Sequence, residues 1–333
     1  MVAVIDAETR DLATQDGLML RLKPFVAIVR PVTLLAPFMG IVSGSMAAIG
    51  SHAARGEATV WGLLGRSWLP ILLGGIAASI LNGASNVLNQ IAEVELDRHN
   101  KPDRVLPRNL MTRRTARIYC GVLYGTALFA SWWIEPSPGV HDTFWCVLVA
   151  AVASVVYSVK PFYTKARGWL ANVTIAVPRG CLLKVAGWGC VAAAFSSAEA
   201  WLIGGVFMFF LLGAASTKDF SDAPGDGAAG VGTLVVRLGV KRAVKAISPF
   251  LILPWVGFAL GVLPVFGTQK LIHADTAATL ALVVALMAYG SYVVALMWRR
   301  PSAFGAEGNH ISWLHMYRMM ILAQIGLVVC YLI

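Results

Sequence analysis

Two short runs of acidic and amide residues carry most of the chemistry this 333-residue chain could perform. The first lies in NGASNVLNQIAEVELDRHNKPDRVLP, residues 82–107. Asn89, Glu93 and Asp97 stand at i, i+4 and i+8, so on a helix they share one face. Asn82 and Asn86 carry the polar stripe back into the apolar sequence before it. The second run lies in STKDFSDAPGDGAAGVGTLVVRLG, residues 216–239. Asp219, Asp222 and Asp226 stand at i, i+3 and i+7, again one face if the helix continues. Pro224 and Gly225 predict an irregular last turn, with Asp226 placed by that turn. Taken alone, the asparagines would serve equally in hydrogen bonding between helices, and the acids as a solvated helix end. Three carboxylates so close together nevertheless repel one another unless cations neutralise them.

Together the runs offer hard oxygen ligands for Mg²⁺, which takes a few carboxylates plus waters and substrate phosphates. Cations crowd the same stretches: Arg98, Lys101, Arg104, Lys160, Lys165, Arg167 and Lys218. Carboxylates for a metal beside Lys and Arg for an anion form the pattern expected for a diphosphate. A metal-bound diphosphate is a good leaving group, because the ion takes up its developing charge.

The elements that must position these runs are membrane spans. Of all residues 58% are hydrophobic and only 13% charged, about half the share usual in soluble domains. That composition excludes an ordinary soluble enzyme and a disordered chain. Nine stretches approach the roughly 20 apolar residues a span needs: 32–50, 68–92, 118–134, 144–159, 170–194, 200–216, 247–266, 276–298 and 316–333. The fourth is short, and the fifth contains Arg179 and Lys184. Residues 1–17 hold four acids and no apolar run, and are expected to form a flexible cytosolic tail ahead of one membrane domain, 18–333. Residues 18–30 are predicted to lie as an amphipathic helix in the interface.

The net charge of +10 is distributed by topology. The N-terminal segment and the segments after spans two, four, six and eight hold 22 of the 27 Lys and Arg; the opposite loops hold Arg55, Arg66 and Lys270. This bias predicts a cytoplasmic N-terminus, with both acidic runs at cytoplasmic span ends. It also explains the basic excess without a nucleic-acid partner. The odd number of cysteines, five, with no CxxC pair, reads as small buried hydrophobes. Trp132, Trp133, Trp145, Trp188, Trp201 and Trp298 fall at expected span ends and read as a membrane belt. Gly74, Gly75 and Gly83 read as close-packing positions. His310 and His315 read as interface or surface histidines, with a general base as the sharper alternative.

At these residues the chain resembles the UbiA superfamily of intramembrane prenyltransferases. Asn89-x3-Glu93-x3-Asp97 is similar to that family's first Asp-rich motif, and the stretch from Asp97 to Pro107 to the segment after it. Lys218-Asp219-x2-Asp222-x2-Gly225-Asp226 is similar to the second motif, with Gly230-x2-Thr233-Leu234 following. Tyr157-Ser158-x-Lys160-Pro161, then Lys165, Gly168 and Asn172, resemble the segment between spans four and five. Glu93 stands for the commoner Asp, and Val105 and Val235 for the commoner Pro; no metal ligand is lost.

The resemblance implies an all-α integral membrane bundle of nine transmembrane helices around a central cavity, with cytoplasmic lid loops at 93–117 and 217–246. It implies that Asn89, Glu93, Asp97, Asp219, Asp222 and Asp226 hold Mg²⁺ on an isoprenyl diphosphate. Lys160, Lys165, Arg104 and Lys218 would contact the diphosphate, with Arg98, Tyr157, Asn86 and Arg179 as further substrate contacts. The implied activity is transfer of the prenyl group to a lipophilic or phosphorylated acceptor in the bilayer, of aromatic, quinone or glycerol-phosphate type. A membrane terpene cyclase would need the same metal site. A secondary transporter is the remote alternative, since its ionisable residues should sit near the midplane at broken helices.

Overall fold

A computed structural model describes residues 17–265, 269–299 and 311–333. The expected tail up to residue 16, and His310, lie outside the described residues. Helix α1 (Gly17–Val29) precedes a tight turn, Pro31–Leu34, that opens α2 (Leu35–Ala54). Helix α3 (Val60–Ala92) is followed by the short α4 (Val94–Asn100), then α5 (Arg113–Trp132) and α6 (Asp142–Ser158). Helix α7 (Trp169–Ala176) passes through a π-helical turn, Val177–Leu182, into α8 (Leu183–Gly189). Then come α9 (Ala198–Ala214), α10 (Asp219–Ala228), α11 (Leu234–Leu238), α12 (Val240–Ile252) and α13 (Val256–Val262). Helices α14 (Thr276–Arg299) and α15 (Ile311–Leu332) complete the bundle. Side-chain oxygens of Thr59, Thr112, Ser197 and Thr233 cap α3, α5, α9 and α11 by accepting from backbone N–H groups of the first turn, which would otherwise have no partner.

Among the described residues, six helical stretches are long and apolar enough to cross a membrane: Pro31–Ala54, Val60–Ala92, Ala198–Thr217, Val240–Val262, Thr276–Arg299 and Ile311–Leu332. They make the chain an integral membrane protein. Three of the nine expected spans fall short of that measure for identifiable reasons. Helix α5 begins with Arg113, Arg114 and Arg117, and α6 is only 17 residues long. The fifth expected span is broken where Pro178, lacking an N–H, interrupts the regular ladder and the backbone widens into the π turn.

The main core joins α2, α8, α9, α12, α14 and α15. Helices α2 and α8 cross almost backbone to backbone. A Cβ at Gly44 would stand 2.5 Å from the Lys184 carbonyl oxygen, and one at Gly187 2.3 Å from that of Ile41. The Ser45 hydroxyl donates to the Gly187 carbonyl at 2.7 Å. Without a hydrophobic drive between helices in lipid, such small-residue contacts supply the packing. Gly74 and Gly75 make close approaches too, to Cys190 and Phe38. A second cluster pins Ile28 of α1 and Val105, Leu106 and Met111 of the segment after α4 against α3 and α5. That segment is therefore docked by its own apolar side chains.

All five cysteines are buried in the two core clusters, and none is in a disulfide. Trp132, Trp133, Trp145, Trp201 and Trp298 are each at least 40% exposed, as a belt residue must be, and Trp188 is not. Trp188 is 1% exposed, because the close crossing of α8 turns it into the core beside His52. His315 is buried, with Tyr289 against its Nδ1 at 2.9 Å, and lines no part of the cavity described below.

Candidate active site

The polar stripe of α3 leads into the site. The helix breaks at Glu93, whose φ and ψ of −109° and 16° leave the helical region, and α4 resumes at Val94. The backbone bonds Glu93 N–H to Asn89 and Asp97 N–H to Glu93 nevertheless survive, at 3.0 and 2.7 Å. Asn89, Glu93 and Asp97 therefore keep their four-residue steps while the chain bends. In the second run the expected irregular turn does not occur: α10 runs through Pro224 and Gly225 to Ala228. Asp219, Asp222 and Asp226 thus sit on one helical face.

Each run is held by bases from elsewhere in the chain. Lys165, from the loop before α7, donates to Glu93 at 2.5 Å, and Arg104 to Asp97 at 2.5 Å. Lys101 donates to Asp222 at 2.9 Å, linking the segment after α4 to α10, with the Lys218 ammonium 3.9 Å from the same carboxylate. Glu93, Asp97 and Asp226 are each no more than 5% exposed. Burial pushes the Asp97 carboxyl up against the opposing pull of Arg104, and pushes Asp219 and Asp226 up as well. Asp222 is also raised by burial, but Lys218 and Lys101 outweigh this and hold it low. Burial lowers Lys165, but Glu93, Tyr157 and Asp226 together raise it more, so it stays charged.

This donor set fits a hard divalent cation. Among the described residues no three of His, Cys, Asp and Glu close around one point, so a caged ion is not what the site offers. Magnesium needs no cage: a carboxylate or two from each helix, with waters and substrate oxygens, completes its shell. Buried carboxylates whose ionised form is penalised gain most from such an ion.

The deeper asparagines do a different job. Asn86 donates to the Val29 carbonyl and the Thr33 hydroxyl, both at 2.9 Å, and Asn82 donates to Thr33 at 3.1 and 3.3 Å. Gln90 donates to the Ile28 carbonyl at 2.8 Å. These bonds splint the end of α1 and the turn into α2 against α3. The Asn82 carbonyl oxygen accepts from Arg179 of the π turn at 3.0 Å.

A large, largely apolar cavity runs from the acidic end into the bundle. Its walls come from α2, α3, α6, the π turn, α9 and α15. Asn89, Glu93, Lys165, Arg104, Lys218 and Asp219 line one end, with Tyr157, Asn86 and Arg179 further along. Lys184 lines it deeper still, donating to the Ser43 hydroxyl, 3.4 Å from the Gly40 carbonyl and 4.2 Å from the centre of the Phe207 ring. Two expected contacts stand apart: Lys160 is exposed and off the lining, and Arg98 is exposed and paired with Glu95 at 2.9 Å. Arg30 was not singled out from the sequence as a site residue, yet it lines the cavity. Its signal was position alone, the last residue before Pro31 and the span.

The profile of the UbiA prenyltransferase family matches residues 43–305. The chain belongs to that family. It is accordingly a prenyl-transferring enzyme. Digeranylgeranylglyceryl phosphate synthase of Thermococcus kodakarensis is 29% identical over 235 residues, 69% of this chain and 74% of its own. The enzyme of that name from Halobacterium salinarum is 31% identical, over 68% and 73% of the two chains. The bacteriochlorophyll synthase 34 kDa chain of Chloroflexus aurantiacus is 26% identical, over 67% and 66%. A UbiA homolog from Archaeoglobus fulgidus has the same fold, with a TM-score of 0.66 at 18% identity over 93% of this chain and all of its own. That homolog has also been solved bound to GPP and Mg²⁺.

Proposed function

We propose that this UbiA-family chain is a Mg²⁺-dependent intramembrane prenyltransferase that moves an isoprenyl group from its diphosphate to a membrane-associated acceptor. The observation that carries this reading is that Glu93 and Asp219, one from each acidic run, line one end of an apolar cavity together with Lys101, Arg104, Lys165 and Lys218, while Lys101 bridges to Asp222 of the second run. Asn89, Glu93, Asp97, Asp219, Asp222 and Asp226 would hold the metal. Bound there, Mg²⁺ would offset the charge that builds on the departing diphosphate. Lys101, Arg104, Lys165 and Lys218 would turn from the carboxylates to the diphosphate oxygens.

The bond from the prenyl C1 to diphosphate oxygen breaks with its electron pair leaving on the diphosphate. An acceptor oxygen or ring carbon forms the new bond to C1 and releases a proton. The apolar walls keep water from the allylic cation, which water would otherwise capture. The relatives' names favour a glycerol-phosphate lipid or a pigment-type acceptor. The segments 93–117 and 217–246 would cover the headgroup, within one membrane unit, 18–333. The distribution of bases supports a cytoplasmic site.

Asp97→Ala or Asp219→Ala is expected to abolish Mg²⁺-dependent diphosphate release from geranylgeranyl diphosphate, with helix content unchanged by circular dichroism. Full activity in either variant would sink the metal assignment. Mass spectrometry of products with and without a membrane extract separates transfer from cyclisation.

A further inference from the structure

Lys184 is the deepest base of the cavity. It is 2% exposed, and among the described residues no carboxylate pairs with it. Its ammonium donates to the Ser43 hydroxyl, stands 3.4 Å from the Gly40 carbonyl oxygen and lies 4.2 Å from the centre of the Phe207 ring. The Ser43 hydroxyl, itself fully buried, is 3.5 Å from the side-chain oxygen of Gln324. Phe207 and Gln324 sit near the middle of the long helices α9 and α15, so the cluster lies deep in the bundle. A lysine at that depth is costly, and the diphosphate end of the cavity is too far away to explain it.

The cavity ends at this cluster. Its walls stop on α2 at Ile41, on α3 at Ala78, on α6 at Cys146, on α9 at Phe207 and on α15 at Gln324, and on α8 just past Lys184. Beyond them the crossing of α2 and α8 at Gly44 and Gly187 leaves no gap between the two backbones. Along α3 the wall runs from Ala78 to Glu93, roughly 20 Å at 1.5 Å per residue. A fully extended chain of four isoprene units, with C–C bonds of about 1.5 Å, spans roughly the same distance. A prenyl chain anchored at the acidic end therefore points its far end at Lys184.

We propose that Lys184, anchored by Ser43, is a polar stop that sets the longest prenyl chain this enzyme accepts. A geranylgeranyl chain reaches the stop without disturbing it. A longer chain must press its terminal methyl groups on the ammonium, or draw the ammonium off its hydrogen bonds where no water replaces them. The Phe207 face that would otherwise pack the chain end is already covered by the same ammonium. Bulk alone does not make this stop, since a methionine of similar length would bend aside and pack against the chain. The inference rests on the prenyl-transfer reading, but fails separately from it.

The test uses the full-length protein in lipid nanodiscs with Mg²⁺, a membrane extract as the source of acceptor, and geranylgeranyl or hexaprenyl diphosphate. The readout is the ratio of kcat/KM for hexaprenyl to that for geranylgeranyl diphosphate, measured as diphosphate release, which does not depend on the fraction of protein folded. Wild type should favour geranylgeranyl at least tenfold. Lys184→Met should raise the ratio at least tenfold. Ser43→Ala, which removes the anchor and keeps the amine's bulk, should raise it at least threefold. Equal use of both lengths by wild type overturns the proposal, and does so even if a variant misfolds. A ratio unchanged in whichever of the two variants folds overturns it as well. A ratio that rises in Lys184→Ala but not in Lys184→Met makes the stop one of bulk, and overturns the polar account. Absence of Mg²⁺-dependent diphosphate release from either length in wild type would instead undo the underlying reading.

Discussion

Glu199 and Glu93 are both buried carboxylates, and their partners separate their roles. Glu199, 3% exposed, accepts from the Ser51 hydroxyl at 2.6 Å, the Tyr331 hydroxyl at 2.5 Å and the His273 backbone N–H at 2.7 Å. Those donors are fixed by two separate helices and a loop, so the group is a structural knot at the end of the bundle away from the acidic runs. Glu93 and Asp97 each rest on one long, flexible basic side chain, which an incoming ion can displace. Glu199→Ala strands several buried donors and is expected to cost about 3 kcal/mol of stability. Thermal unfolding in nanodiscs checks this, and diphosphate release per folded molecule should stay unchanged. A loss of release with full stability would mean that Glu199 acts in the chemistry.

Among the elements, the crossing of α2 and α8 decides where Arg179 sits, because α8 is the direct continuation of the π turn. Gly187 allows that crossing: the space its Cβ would occupy is already taken by the Ile41 carbonyl oxygen. Gly187→Ala must push the two backbones apart, at a cost of about 2 kcal/mol. It should lower the thermal midpoint. An unchanged midpoint would show that the crossing is softer than its geometry implies. The stripe Asn82, Asn86, Asn89 was legible as a face from its spacing. Its division into a splint for α1 and α2 and a support for Arg179 was not, since nothing local says which helix an asparagine will meet.

For the molecule as a whole, charge is segregated to one end, and that segregation is the basis for its orientation. All five native cysteines are buried, so a single added cysteine reports cleanly on sidedness. A cysteine at Ser137, in the exposed turn between α5 and α6, should react in intact cells with a membrane-impermeant thiol reagent. One at Arg108, in the segment after α4, should react only after the cells are opened. The reverse pattern would invert the topology.

Local chemistry determined a good deal in this chain. Apolar length marked the long helices, and the i, i+3, i+4 spacing of carboxylates put each acidic run on one face, because helical geometry is set by residues a few positions apart. Even the pairing of acids with bases could be anticipated in kind, since buried charges require partners. Tertiary structure alone decided which base meets which acid: Lys165 reaches Glu93 across 72 positions, and Lys101 reaches Asp222 across 121. It also decided that Lys160 and Arg98 face away, that Trp188 is core, and that α10 continues through Pro224. Arg30 gained its place at the cavity only there, because the side of a helix end that faces a ligand depends on what the far parts of the chain pack against it.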